Sequence, residues 1–188
     1  VVTFKSLTFS QRCTMIESNR EIKKPSEKRE IMPRFEASAL RGYCVSVLTA
    51  SGVERSCAEA VADALLDAEL TGVSTHGVSR LAVYMQRMDA GVMSRENNIR
   101  IVRESTSTLV VDAGNSLGAA AAKFAMERCI AKAKETGCCF ASVHSSNHFG
   151  TAAYYTRLAA AQDMIGFACT NLKGKIAPFG SAEPYMGT

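Results

Sequence analysis

The sequence predicts an α/β protein with a helical N-terminal part. Between residues 35 and 90, apolar residues recur at three- and four-residue spacing, which is the period of amphipathic helices. From about residue 99 onward, short apolar runs alternate with helical patterns, as in α/β proteins. The 188 residues are enough for a sizeable core, and the 47% hydrophobic and 21% charged residues are ordinary for a globular protein.

Residues 1–33 are predicted to be a leader without stable structure. This stretch is polar, charged and aperiodic, and Pro25 and Pro33 interrupt it. It lacks the apolar centre of a secretory signal. Met32 is a candidate native start, in which case the residues before it are upstream or added sequence, and a mitochondrial transit peptide is the alternative.

Charge and hydropathy argue against nucleic-acid and membrane partners. Residues 1–34 carry eight basic and four acidic residues, which accounts for the whole net charge of +4. Residues 35–188 carry fourteen of each, so they lack the excess positive charge that phosphate neutralisation requires. No run reaches the roughly 18 to 20 apolar residues of a membrane span.

The seven cysteines give information on the cellular compartment of the protein. Their number is odd, and none is paired at C-x-x-C spacing. Several stand among apolar residues, which predicts buried, reduced and inert thiols in a cytoplasmic protein. Zinc and disulfide interpretations remain the alternatives.

The N-terminal segment, residues 34–98, is predicted to contain three helices. They are expected over residues 35–50, 56–70 and 78–90. A glycine follows each apolar pattern and favours its end there. For the second helix, Ser56 is the expected N-cap, and Glu59 three residues later completes a capping box.

The second segment, residues 99–188, is predicted to be the first part of an α/β catalytic domain. Its expected elements are strands 99–103 and 108–112 in a hairpin, helix 117–136, strand 138–143, helix 151–161 and strand 164–170. No cap or polar tail closes the chain at Thr188, so we expect an N-terminal fragment of a longer domain.

The first loop of chemical interest joins the second and third helices. Thr75 and His76 precede a helix N-terminus, where free backbone N–H groups favour an anion. Arg80 follows His76 by four residues, so both side chains can point to one side. A guanidinium beside an imidazole suits a carboxylate. The alternative is a capping threonine with two solvated side chains.

The second loop follows strand 138–143 and contains His144, His148 and Gly150. In open α/β sheets, ligands bind where strands end, and a histidine there can exchange protons near neutral pH. Gly150 would let the backbone approach a ligand closely. The H-x-x-x-H spacing would suit zinc on a helix, but the Asn and Gly content indicates a loop without an accompanying Glu, and no metal site is predicted. A merely structural His148 is the alternative.

The third loop follows strand 164–170. Asn171, Lys173 and Lys175 could contact a phosphate or an amide, although solvated lysines are the common alternative. The sequence contains neither a G-x-G-x-x-G nor a Walker A pattern, so a standard Rossmann nucleotide site is not supported.

Taken together, the motifs resemble the type 2 malate/L-lactate dehydrogenase family, which includes ureidoglycolate and sulfolactate dehydrogenases. The resemblance covers roughly residues 34–188. Its motifs are G-V-x-S-H-G-x-x-R at 72–80, Y-x-x-x-x-x-x-G at 84–91, V-D-x-x-x-x-x-G at 111–118, S-N-H-F-G at 146–150, T-N at 170–171, A-P-F-G at 177–180 and the closing G-T.

The resemblance implies a three-layer α/β/α fold around a mixed sheet, distinct from the Rossmann fold. It also implies reversible hydride transfer between NAD or NADP and a small 2-hydroxy acid/2-keto acid pair, in a homodimer. Reduction of a cyclic imino acid is the alternative reaction within the family. A non-catalytic, truncated assembly partner is the alternative from another class.

The resemblance also assigns roles to residues. It implies that His148 donates and accepts the proton, and that Arg80 holds the substrate carboxylate. The other implied contacts are Thr75, His76 and Gly150 for substrate, and Asn171 and Leu172 for cofactor. Two positions depart from the family pattern. Thr75 replaces the usual Ser and would narrow the pocket, and Leu172 replaces a small or polar residue, so a cofactor contact there would use its backbone.

Overall fold

The computed structural model describes residues 34–187, so the predicted leader lies outside the described residues. The helices and strands follow one another in the order expected for a helical segment and an α/β segment. They are α1 (Ala37–Ala50), α2 (Arg55–Leu70), a 3-10 turn (Ser74–His76), α3 (Arg80–Asp89), β1 (Arg100–Glu104), β2 (Thr108–Asp112), α4 (Gly118–Thr136), β3 (Phe140–His144) and α5 (Ala152–Ala160).

The core is built around α2, which packs against α1, α4 and α5. Its five buried alanines occupy little space, so the neighbouring helices approach its backbone closely. Leu48 of α1, Leu65 of α2 and Tyr155 of α5 are almost fully buried in the same cluster. The helical segment and the α/β segment therefore share one hydrophobic core.

The sheet has the strand order β1-β2-β3, with β1 antiparallel to β2 and β2 parallel to β3. Leu109 and Val111 on β2 are buried and form a second apolar cluster with Ala125 of α4. On the opposite face, Val102 and Phe140 are exposed. Within residues 34–187, helix α4 thus packs on one face of a mixed sheet, and the three-layer arrangement stays a prediction.

The predicted capping box at the start of α2 is wrong. The helix begins at Arg55, and its N-cap position is Glu54, which has extended backbone angles and makes no side-chain cap hydrogen bond. Ser56 lies inside the helix and donates its hydroxyl to Glu54 Oε1 at 2.6 Å. Glu59 forms an ion pair with Arg55 one turn away instead of reaching back to the cap.

The predicted strand at 164–170 is also not formed. The segment alternates in exposure as a strand would, but within the described chain it has no ladder partner, and a strand needs one. Gly166 packs against α5, where an added Cβ would lie 2.7 Å from Thr156 Cα. Ile165 and Phe167 on the other side of this segment are exposed.

The six cysteines of the described residues differ in exposure: two are buried, two are exposed, and Cys129 and Cys139 are intermediate, while Cys13 lies outside the described residues. Cys44 and Cys57 are buried in the core, and burial raises the pKa of both thiols. Cys138 and Cys169 are exposed, so the prediction of buried thiols is wrong for these two, which lie outside the apolar clusters. No helix among residues 34–187 has the length and apolar character needed to cross a membrane.

Candidate active site

The carboxylate of Glu69 holds the turn between α2 and α3 in place. Its Oε1 accepts the backbone N–H of Val78 at 2.8 Å. Gly77 lies directly over this carboxylate, and a Cβ at that position would come within 2.1 Å of Glu69 Oε1. A side chain at position 77 would therefore have to displace the carboxylate that anchors the turn.

Three predicted site residues contact one another in and beside this turn, namely Thr75, His76 and Arg80. Arg80 Nε donates to the carbonyl oxygen of Thr75 at 2.6 Å. Thr75 Oγ1 lies 3.0 Å from His76 Nδ1. Arg80 makes no ion pair with any described residue, so the two terminal nitrogens of its guanidinium are available to an anionic ligand.

The loop that carries His148 is held by its neighbour Asn147. The Asn147 side-chain amide donates to Asn115 O, Asn115 Oδ1 and Ser116 O, each at 3.0 Å. Gly118, the first residue of α4, lies against the backbone of this loop. A Cβ on Gly118 would lie 2.1 Å from Asn147 O and 2.5 Å from His148 O, so the loop rests on the helix start.

The far end of the same loop is fixed by an aromatic pair. The Tyr155 hydroxyl donates to the Phe149 carbonyl oxygen, and the two rings stack with centroids 5.2 Å apart. Gly150 has a φ of +83°, the left-handed conformation that favours glycine, and space around it is open. Gly150 thus makes the turn into α5, while its predicted contact with substrate stays a prediction.

The His148 side chain contacts both α3 and the turn that precedes it. Its Nδ1 lies 2.9 Å from the hydroxyl of Tyr84 on α3. The Tyr84 side chain is buried, and burial raises its pKa to about 12, so the phenol stays protonated at physiological pH. The His76 ring stacks on the His148 ring with centroids 5.4 Å apart. No described residue bonds to Nε2 of His148, which leaves this nitrogen free to exchange a proton.

The pKa of His148 is lowered from its ordinary value. Burial is the main cause, and the positive charges of His76, Arg80 and Arg87 add to it. The imidazole is therefore neutral near pH 7 and able to accept a proton. An anionic ligand at this site would offset the surrounding positive charge and favour the imidazolium form.

The structure thus brings together four of the predicted site residues, namely Thr75, His76, Arg80 and His148. The predicted role of Asn171 and Leu172 in binding the cofactor stays a prediction. Asn171 and Leu172 are exposed on an irregular segment, and no hydrogen bond or ring contact in the described chain joins either to His148.

Two functional candidates were not identified from the sequence. Tyr84 binds His148, and Arg87 places its guanidinium 3.5 Å from Asn147 Oδ1. The signal was their spacing, because they follow Arg80 by four and seven residues and so share its face of α3.

A separate cavity of about 380 Å³ lies between α1, α2 and α4. Its central carboxylate, Asp63, is already paired with Arg41 at 2.6 Å and Lys123 at 3.3 Å. Among residues 34–187, no three histidine, cysteine or acidic side chains are grouped as a metal site would require.

The solved structures that resemble this chain include dehydrogenases. Sulfolactate dehydrogenase from Methanocaldococcus jannaschii matches with a TM-score of 0.78 at 38% identity, over 81% of this chain and 44% of that chain. Malate dehydrogenase from Pyrococcus horikoshii OT3 matches with a TM-score of 0.67 at 37% identity, over 69% of this chain and 37% of that chain.

Residues 35–188 match the family described as malate/L-lactate dehydrogenase, and the chain belongs to that family. L-sulfolactate dehydrogenase from Methanothermobacter thermautotrophicus is 39% identical over 158 residues, which are 84% of this chain and 45% of that protein. The chain therefore spans less than half the length of this relative.

The names of two other relatives include a cofactor. Ureidoglycolate dehydrogenase (NAD(+)) from Escherichia coli K12 is 31% identical over 75% of this chain and 40% of that protein. (2R)-3-sulfolactate dehydrogenase (NADP(+)) from Chromohalobacter salexigens is 35% identical over 77% of this chain and 43% of that protein. Dehydrogenases named for either nicotinamide cofactor thus occur among the relatives.

Proposed function

We propose that the protein transfers a hydride reversibly between NAD or NADP and a small 2-hydroxy acid/2-keto acid pair. The observation that carries this proposal is the position of His148. Its Nδ1 is bound to buried Tyr84, its Nε2 has no partner in the described chain, and the unpaired guanidinium of Arg80 lies close enough to lower its pKa. Membership in a family of hydroxy-acid dehydrogenases supports the same reaction.

His148 would accept the proton of this reaction in one direction and donate it in the other. In the oxidative direction, its neutral imidazole accepts the substrate hydroxyl proton at Nε2 while Nδ1–H donates to the Tyr84 oxygen. The lowered pKa keeps the imidazole in the neutral form that this step needs. In the reductive direction, the imidazolium returns the proton from Nε2 to the oxygen of the former carbonyl group.

Arg80 would hold the substrate carboxylate. Its Nε is occupied by the Thr75 carbonyl, so the guanidinium is fixed in one plane and presents its two terminal nitrogens. This arrangement would orient the reacting carbon towards His148. His76 would limit the pocket from the side on which it stacks against His148, and the Thr75 hydroxyl beside it would contact the substrate.

A nicotinamide cofactor, when bound, supplies or accepts the hydride. The donor set at the predicted cofactor residues fits such a group, because the Asn171 amide is exposed and makes no side-chain hydrogen bond within residues 34–187. Asn171 would bind a carboxamide, and the backbone at Leu172 would supply a further N–H or carbonyl. The homodimer and the cytoplasmic location stay predictions.

The test is nicotinamide absorbance with NADH and NADPH against a panel of 2-keto acids, using the natural full-length protein. We expect His148→Ala to lower kcat by roughly 10² to 10⁴, the usual contribution of a positioned acid/base. His144→Ala is the matched control, because His144 is exposed and its Nδ1 contacts only Ser145 Oγ and the Asp112 carboxylate. Equal rates for His148→Ala and wild type would overturn the assignment.

The alternatives give different results in the same assay. Oxidation of NADPH with a cyclic imino acid and with none of the keto acids would favour the imino-acid reductase. A folded, dimeric protein that binds no reduced nicotinamide would favour a non-catalytic assembly partner.

A further inference from the structure

We propose that Glu69 is a positioning residue for substrate binding. Its carboxylate holds the turn between α2 and α3, and through the backbone of that turn it places Thr75, His76 and Arg80 for the substrate. The inference rests on the proposed function, in which these three residues contact the substrate. No hydrogen bond or ion pair in the described chain joins Glu69 to their side chains, so its effect passes through the backbone.

The position of Glu69 in α2 is the first argument. It is the next-to-last residue of this helix, whose C-terminus carries a partial negative charge, so a carboxylate there is unfavourable for α2 itself. The N-terminus of α3 carries a partial positive charge instead. Its N-cap residue, Ser79, makes no side-chain cap hydrogen bond, and its first turn contains no acidic residue. Glu69 therefore supplies the negative charge that the start of α3 lacks.

The contact with the backbone of the turn is the second argument. Glu69 Oε1 accepts the N–H of Val78 at 2.8 Å. The backbone of Gly77 lies along the same side chain, because a Cβ there would be 2.1 Å from Oε1, 2.4 Å from Cδ and 2.8 Å from Cγ of Glu69. The hydrogen bond and this packing together fix residues 77–78 relative to α2. A side chain shorter by one methylene group would withdraw the carboxylate from Val78.

Only a few residues separate this contact from the site. Thr75 and His76 immediately precede the anchored backbone, and Arg80 begins α3. Arg80 Nε donates to the Thr75 carbonyl oxygen at 2.6 Å, and the His76 ring stacks on that of His148. A displacement of the anchored backbone would therefore move several substrate contacts at once. His148 is held separately by the hydrogen bonds of its own loop, so we expect substrate binding to change more than proton transfer.

A purely structural role for Glu69 makes a different prediction. In that case its replacement would lower the free energy of unfolding and leave KM of the folded protein unchanged. The positioning role raises KM for the substrate while kcat changes little. Steady-state kinetics at a urea-free temperature where each variant is folded therefore separates the two roles.

The first experiment measures reduction of the 2-keto acid panel by variants of the natural full-length protein. Glu69→Asp keeps the charge but withdraws the carboxylate, so we expect KM to rise roughly 10- to 100-fold, as for a lost hydrogen bond to a charged group. Glu69→Gln keeps the length and an acceptor oxygen, and it should retain most of the substrate affinity. Glu59→Gln is the matched control, because Glu59 lies on the same helix and its carboxylate pairs with Arg55. The opposite order, with the Asp variant normal and the Gln variant impaired, would overturn the inference.

Gly77 tests the same contact from the other side. Its φ of −87° lies outside the left-handed region, so it is the Glu69 carboxylate, and not a left-handed backbone, that excludes a methyl group there. Gly77→Ala should therefore raise KM in wild type. In the Glu69→Ala background the new methyl group would occupy vacated space and should cost little more. Additive effects of the two substitutions would contradict a shared contact.

Two further measurements do not need turnover. Hydrogen–deuterium exchange of the peptide covering residues 71–80 should be faster in Glu69→Asp than in wild type, and Glu69→Gln should restore protection. Oxamate, an unreactive analogue of a 2-keto acid, should bind Glu69→Asp roughly 10-fold less tightly than wild type. Unchanged exchange and unchanged oxamate binding in Glu69→Asp would overturn the role of Glu69. The proposed function fails separately, if wild type reduces no 2-keto acid.

Discussion

Replacing Gly118 with alanine should impair catalysis without touching the substrate. Gly118 begins α4 and supports the backbone of the loop that carries His148. An alanine Cβ would lie 2.1 Å from Asn147 O and 2.5 Å from His148 O, whereas real Cβ contacts are essentially never closer than 3.0 Å. The loop must therefore move by about 1 Å to accept a single methyl group.

Two opposing terms set the effect on stability. Forcing a methyl group into this contact should lower the free energy of unfolding by about 1–3 kcal/mol. Alanine is the better helix former by at most about 1 kcal/mol, and less at a first helical position. Activity should suffer more, because a displacement of about 1 Å at a catalytic group can lower the rate roughly 10²-fold.

Urea unfolding and steady-state kinetics of Gly118→Ala measure both effects. Gly42→Ala is the matched control, because Gly42 lies inside α1 with open space around an added Cβ. That variant should gain up to about 1 kcal/mol and keep its activity. If Gly118→Ala has the urea midpoint and the rate of wild type, the loop carrying His148 accepts the methyl group without cost. That result would refute the argument that Gly118 positions His148.

Two further predictions concern the histidine. Tyr84→Phe keeps the buried ring but removes the hydroxyl bound to His148 Nδ1, so we expect a loss of about 1 kcal/mol in unfolding free energy and a roughly tenfold lower kcat; an unchanged kcat would contradict the role of Tyr84. The pKa of His148 is lowered in the folded chain, so its contribution to stability is full above the unfolded value of 6.5 and is lost as pH falls towards the folded pKa. The sequence has only three histidines, so NMR titration can resolve His148, and a midpoint at or above 6.5 would be the contrary result.

Much of the secondary structure could be predicted because local pattern determines it. The strand Thr108–Asp112 was predicted with its observed bounds, and all five helices were predicted within two residues of their observed bounds at both ends. The failures arose where a competing or absent partner decides the outcome. Glu54 occupies the cap position that Ser56 was expected to take, and segment 164–170 has the composition of a strand but no neighbour to pair with in the described chain.

The candidate site could be predicted in part for a similar reason. Thr75, His76 and Arg80 are close in sequence, so residue type and spacing were enough to group them. Tyr84 lies in the predicted helix 78–90, and an aromatic at helical spacing is usually a core residue. Its burial agrees with that interpretation, but the partner of its hydroxyl is 64 residues away, and no local pattern shows that contact.

The separation between Tyr84 and His148 also has a consequence for the newly made chain. A ribosome that adds about 5 to 20 residues per second completes this 64-residue interval in roughly 3 to 13 s. During that time α3 has been synthesised, but the phenol has no imidazole to bind. The hydrogen bond between Tyr84 and His148 therefore forms only after the loop carrying His148 has been made and has docked, which makes it a late, long-range contact in folding.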